Sequence, residues 1–121
     1  MAAVIAAMRE QHLDVIGVRR SPDRAPSLGI HLTDAKFIVE GSTPGDSQTA
    51  GSVVVVGFKH SAGVRRLAER LSIPSHGPSY DYRRGVAAGH LLIAERASSP
   101  LMRRIVDRIA RHVVGIAGVS R

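Results

Sequence analysis

Three polar side chains in a row, Lys59-His60-Ser61, follow the apolar run Val53–Phe58 and precede Ala62-Gly63. A helix that starts here has unpaired first-turn N–H groups and the positive end of its dipole, which together attract anions. An ammonium, an imidazole and a hydroxyl beside it would add one charge and several donors. Lys59, His60 and Ser61 are therefore the candidate anion-binding loop. The segment has neither Walker A spacing nor the G-x-G-x-x-G pattern, so those two phosphate cradles are excluded. An ordinary Ser-capped βα loop is the alternative. His60-Ser61 could also open a nucleophile–base pair, with Asp14, Asp34 or Asp81 as its acid. No G-x-S-x-G elbow surrounds Ser61, and a triad is recognised by geometry rather than by its letters. No catalytic residue is assigned.

The six His residues (12, 31, 60, 76, 90 and 112) include no i,i+4 pair on one helix and no H-E-x-x-H. There is no Cys, which removes disulfides, thiolate chemistry and cysteine zinc sites together. No metal and no cofactor is expected.

The remaining polar chemistry is positive. Seventeen basic residues stand against ten acidic ones, a net charge of +7. Fifteen of the seventeen are Arg, whose planar fork suits bidentate contacts to carboxylate and phosphate. A codon-biased genome would account for Arg over Lys, but not for the excess of base over acid. That excess favours an acidic protein surface or nucleic acid as partner. Arg65, Arg66 and Arg70 fall on the polar face of one expected helix, and Arg103, Arg104, Arg108 and Arg111 on that of another. If the two faces lie side by side they make one phosphate-binding patch, salt-sensitive and indifferent to sequence. Aromatic residues are 3% of the chain, so stacking platforms for single strands are nearly missing. The ordinary reading is a solvated or subunit-contacting face.

Tyr80-Asp81-Tyr82-Arg83-Arg84 holds both tyrosines of the chain. Tyr and Arg are enriched where binding energy concentrates, which makes Tyr80, Tyr82, Arg83 and Arg84 candidate interface residues. The segment resembles one near the end of lambda-type phage tail terminator proteins, small α/β subunits that form rings in the head–tail region. The resemblance covers these few residues. The chain departs from that pattern by ending in an amphipathic helix instead of a strand.

These groups must be positioned by local structure. Residues 2–11 are apolar, too short to span a bilayer and without a leader's basic start, so they predict a packed helix. Residues 13–19 predict a strand. Alternation at Ile30 and Leu32, then at Phe37 and Val39, predicts a β-hairpin over 29–41 turning at Thr33–Lys36. Residues 41–51 are Gly-rich and polar, a surface loop or interaction arm. Val53-Val54-Val55-Val56 predicts a central strand buried on both faces. Val64, Leu67, Ala68 and Leu71 make the apolar stripe of a helix over 61–72. Tyr80 and Tyr82 begin a short strand, and 88–95 predicts another. Ser99 is a good N-cap with Pro100 at the first helical position. Met102, Ile105, Val106, Ile109, Ala110, Val113 and Ile116 form the last stripe, and Asp107–Arg111 forms an i,i+4 ion pair.

The fold class that follows is α+β in one domain, 1–121. It is a mixed sheet of about five strands with a β-hairpin and two amphipathic helices after βα loops. Two successive β-loop-α units predict parallel neighbouring strands. With no catalytic motif, the functional expectation is a structural subunit that associates with itself, cytoplasmic or in a virion, with no membrane. A nucleic-acid-binding accessory protein is the alternative, and a small enzyme holding an anion at Lys59–Ser61 is the third.

Overall fold

The computed structural model describes residues 1–20, 24–25, 30–31, 34–43, 51–72, 82–96 and 100–118. Among these described residues, three helices and a five-stranded sheet form an α+β architecture. The helices are α1 (Ala2–Glu10), α2 (Val64–Ser72) and α3 (Pro100–Gly118). The five sheet strands are β1 (Asp14–Arg20), β4 (Ala35–Ser42), β5 (Ser52–Phe58), β6 (Tyr82–Ala88) and β7 (Leu91–Arg96). They stand in the order β1-β4-β5-β7-β6. Two short strands, β2 (Arg24–Ala25) and β3 (Ile30–His31), pair with each other outside that sheet.

The strand at the centre dictates the layers. Val53, Val54, Val55 and Val56 have no solvent exposure, so β5 needs apolar cover on both faces. Val53 and Val55 pack with α1 and α3, through Val4 and Met8 of α1 and Met102, Val106 and Ile109 of α3. Val54 and Val56 pack on the opposite side with Val64, Ala68 and Leu71 of α2. The order is thus α1 and α3, then sheet, then α2. Of the stripes expected from helical spacing, Val64, Ala68 and Leu71 of α2 and Met102, Ile105, Val106, Ile109 and Val113 of α3 are buried, Leu67 and Ala110 are partly buried, and the Ile116 side chain lies outside the described residues.

The ladders differ from expectation in direction. All four strand pairings of the large sheet are antiparallel. After β5 the chain crosses through α2 to β6 at the sheet edge, then doubles back as β7 into the gap beside β5. β5 and β6 run the same way with β7 between them, a split β-α-β unit instead of parallel neighbours. The cause is the turn Gly89-His90, which cuts the expected strand 88–95. Gly89 takes φ 60° between Ala88 and its partner Leu91. A two-residue hairpin loop asks for that left-handed position, and glycine adopts it without strain.

Two further expectations are corrected. The hairpin over 29–41 does not form. Ile30–His31 pairs with Arg24–Ala25, while β4 begins at Ala35 and pairs with β1 and β5. Asp34, at φ 62°, turns the chain just before β4, and Ala35 and Lys36 are already strand. Nor does the second helix begin at 61. Gly63 has φ 85°, which cannot continue a right-handed helix, so Ser61–Gly63 is a turn and α2 starts at Val64. Within the arm 41–51, β4 runs to Ser42 and β5 starts at Ser52, and Thr43 and Gly51 bond across its base. Residues 44–50 and the expected N-cap Ser99 lie outside the described residues.

α2 sits on β6 at a glycine. A Cβ on Gly85 would come within 2.6 Å of the Ala68 carbonyl oxygen, a backbone atom that cannot swing aside. Gly85→Ala is expected to lower stability by about 1–3 kcal/mol through overpacking. On the other face Ile109, 1% exposed, should behave oppositely in kind: Ile109→Ala leaves a cavity and costs roughly 2–5 kcal/mol. Chemical denaturation of both variants checks these values; wild-type midpoints would mean that neither contact is part of the packed core.

Candidate functional site

The row Lys59-His60-Ser61 does not converge on one point. β5 ends at Phe58, where the Phe58 N–H donates to the His90 carbonyl (2.9 Å), and the Lys59 N–H donates to the Asp34 carbonyl (2.8 Å). Beyond this anchor the side chains part. Lys59 lines a cleft bordered by α1 and α3. His60 lines another cleft, of about 230 Å³, beside α2. There it meets Asp34, Nδ1 to Oδ2 3.6 Å, with both side chains exposed. An exposed pair of this kind contributes little. Ser61 is exposed, and because α2 starts three residues later it does not cap the helix. Arg66 and Arg70, one turn apart on α2, border the same cleft as His60. The cations at this cleft are therefore Arg66 and Arg70, with the His60 imidazole and the Asp34 carboxylate beside them.

The two arginine-bearing helix faces are not one patch. Arg65, Arg66 and Arg70 are exposed on α2, and Arg103, Arg104, Arg108 and Arg111 on α3. α2 and α3 pack against opposite faces of the sheet. A cylinder of phosphates cannot lie along both at once. This corrects the side-by-side arrangement on which a single broad patch depends.

Of the candidate interface segment, Tyr80 lies outside the described residues, as do the side chains of Tyr82 and Arg83. Arg84 is turned inward. It pairs with Asp107 of α3 (Nη2–Oδ1 2.7 Å) and with Glu95 of β7 (Nη1–Oε2 3.3 Å). Asp107 thus bonds to β6 instead of to Arg111, one turn on along its own helix. The cross-strand register Arg84↔Glu95 puts both side chains on the α3 face, so the guanidinium bridges strand to helix.

Glu95 is the group that residue-by-residue reading passes over. It is the buried charged residue among the described residues, 0% exposed, and its Oε1 has no hydrogen-bond partner. The available signal was parity. Glu95 is in phase with Leu91 and Ile93, on the face that packs under α1 and α3. Burial pushes its carboxyl above the usual carboxylate range, against the opposing pull of the Arg84 and Arg103 guanidiniums. An acceptor-only oxygen left unpaired in the interior carries a desolvation penalty.

Among the described residues no cluster of His, Asp and Glu could hold a metal ion, and no helix is long and apolar enough to cross a membrane.

The raised carboxyl fixes a pH dependence. The folded chain holds the Glu95 proton more tightly than the unfolded one. The contribution of this group to stability is therefore full below the ordinary carboxylate value and is lost as pH rises through the raised one. Glu95→Gln should gain on wild type in unfolding free energy as pH rises through that window. Arg84→Met, which leaves the carboxylate without its cation, should cost about 3–5 kcal/mol at neutral pH and less in acid, where Glu95 is protonated. Denaturant titrations from acid to neutral pH read both; a constant gap between the Gln variant and wild type would show that Glu95 titrates as in the unfolded chain. Comparison of the chain with family models, with curated proteins and with solved structures gives no match.

Proposed function

We propose that the chain is a non-enzymatic interaction subunit that associates with copies of itself. A head–tail or tail component of a virion is the concrete setting to which the Tyr80–Arg84 resemblance leads. The observation that carries the reading is the edge of the sheet at β1, which has no second strand beside it among the described residues. Ile16 is 61% exposed and Val18 43%, the large apolar side chains that the described residues leave in water. They stand two residues apart on a strand that has a partner on one side only among the described residues, Val18 opposite Val39 and Ile16 in the bulge before Gly17. An edge strand offers unpaired N–H and C=O groups to another chain.

The edge is also restricted. A bulge between Val15 and Gly17 takes Ile16 out of the ladder with β4, and Arg19 and Arg20 follow. Bulges and charges of this kind oppose indefinite strand addition. They favour a bounded contact anchored by two side chains, each worth roughly 1.5–3 kcal/mol on full burial. That suits a closed assembly better than a fibre.

A discrete oligomer is expected at micromolar concentration, and Ile16→Asp with Val18→Asp should return it to the 12.9 kDa monomer. Light scattering across a dilution series decides this. A wild-type monomer at every concentration would sink the reading.

The charge of +7 supports a second reading, nucleic-acid binding. Because the basic faces are opposed, Arg66→Glu and Arg104→Glu should act separately, and only the variant on the bound face should weaken binding. The slope of log K against log salt should be about −0.9 per neutralised phosphate on duplex DNA. Titrations at several salt concentrations measure it; no binding at low salt would remove the nucleic-acid reading, and two variants that bind as wild type would move the patch off both helices, to Arg19 and Arg20 or elsewhere.

A further inference from the structure

Fifteen of the seventeen cations of this chain are Arg; the two lysines, Lys36 and Lys59, line one cleft. The cleft has a volume of about 310 Å³. It lies at the end of the sheet where β4 and β7 begin and β5 and β6 finish, under the first turn of α1 and the later turns of α3. The ladder contact Ala35↔Phe58 brings Lys36 and Lys59 to neighbouring strand ends. The hydrogen bond from the Phe58 N–H to the His90 carbonyl adds His90 to the same rim. The rim is thus two ammonium groups and an imidazole, all on exposed residues. The walls behind it are apolar: Val4 from α1, Phe37 and Leu91 from the sheet, and Val113 from α3.

The space is built by the backbone. Gly57, also in the lining, has no side chain because the Phe37 ring occupies the volume that its Cβ would need. The ring sits in the core beneath α1 and α3 and, seated over Gly57, forms part of the apolar wall of the cleft. Ala3 and Ala88 line the space with single methyl groups. Ligand pockets begin at about 300 Å³ and combine an apolar wall with a few polar groups that fix orientation. At about 30 Å³ for a water-sized group, the space takes on the order of ten non-hydrogen atoms.

We propose that this cleft binds an amphiphile with one anionic head and an unbranched apolar tail of medium length, the head at Lys36, Lys59 and His90 and the tail against Phe37, Leu91 and Val113. Charge chooses the head. Lys36 and Lys59 bring two ammonium groups to the rim beside the His90 imidazole, and no carboxylate lines the cleft among the described residues. Lys supplies a mobile point charge with three donors, which suits a single head whose position varies with tail length. The cleft beside α2 differs in this respect, because Asp34 stands among its cations. The site makes no use of the β1 edge, so it holds whether or not the chain self-associates.

Decanoate, decanol and decyltrimethylammonium are the probes, titrated calorimetrically below their aggregation limits into the full chain. Wild type should bind decanoate at one saturable site, decanol at least threefold more weakly, and the ammonium not at all. Lys36→Met with Lys59→Met keeps the apolar stems and changes exposed positions, so the fold should persist; a thermal melt verifies it. This double variant should lose threefold or more in decanoate affinity and none in decanol affinity. Ala3→Phe should fill the space and abolish binding of both. Absence of saturable binding, equal affinity of wild type for decanoate and decanol, an unaffected lysine double variant, or an Ala3→Phe variant that binds as wild type would each overturn the proposal.

Discussion

Val53, Val54, Val55 and Val56 point alternately to the two sides of the sheet, and none reaches water. Each is worth roughly 1.5–3 kcal/mol when fully buried, so the strand is stable only if both faces are covered. One helical layer cannot do that. The chain meets the requirement with α1 and α3 on one side and α2 on the other. Every later feature inherits this division: which arginines can act together, where the clefts open, and where a buried charge can arise.

The division separates what the linear order joins. Lys59 and His60 are consecutive, yet a strand end sends successive side chains to opposite faces, so they serve different clefts. The division also joins what the order separates. Arg84, Glu95 and Asp107 come from two strands and a helix and meet on the α3 side. An ion pair of this kind is weak evidence for stability, because desolvation offsets much of the attraction. Its geometry is more informative than its energy. The guanidinium ties the edge strand β6 to α3 and to β7 at once, and so fixes the helix over the β6–β7 hairpin.

Much of the architecture was legible in the sequence, for periodic reasons. The stripes on α2 and α3 follow from 3.6-residue spacing, and the buried valines from an unbroken β-branched run. The α+β class followed from them. Strand direction was not legible, since it turned on Gly89-His90, a two-residue loop inside an otherwise apolar stretch. The start of α2 was lost to a left-handed glycine, and the first hairpin to a left-handed aspartate. These are local backbone conformations that residue patterns leave open. The candidate site suffered from a different limit. Proximity in sequence suggested Lys59, His60 and Ser61 as a unit, whereas Lys36, Lys59 and His90 are brought together by ladder register, which no local window contains.

Glu95 shows what the sandwich imposes on its own edge. The strand β7 is central over Leu92, Ile93 and Ala94, all without solvent exposure, and Glu95 continues the face of Ile93, on the α3 side. An apolar residue there would be cheaper in desolvation and would need no cation. With Glu95 in place, the half-buried Arg84 is turned inward, and both ends of its guanidinium are taken up by carboxylates. Arg84 therefore differs from the exposed arginines of α2 and α3: its charge is committed inside the subunit. Among the described residues, the exposed arginines of the two helices stand as Arg65, Arg66 and Arg70 on one side of the sheet and Arg103, Arg104, Arg108 and Arg111 on the other. The sheet between them keeps these two charged faces apart, so they do not form a single continuous track.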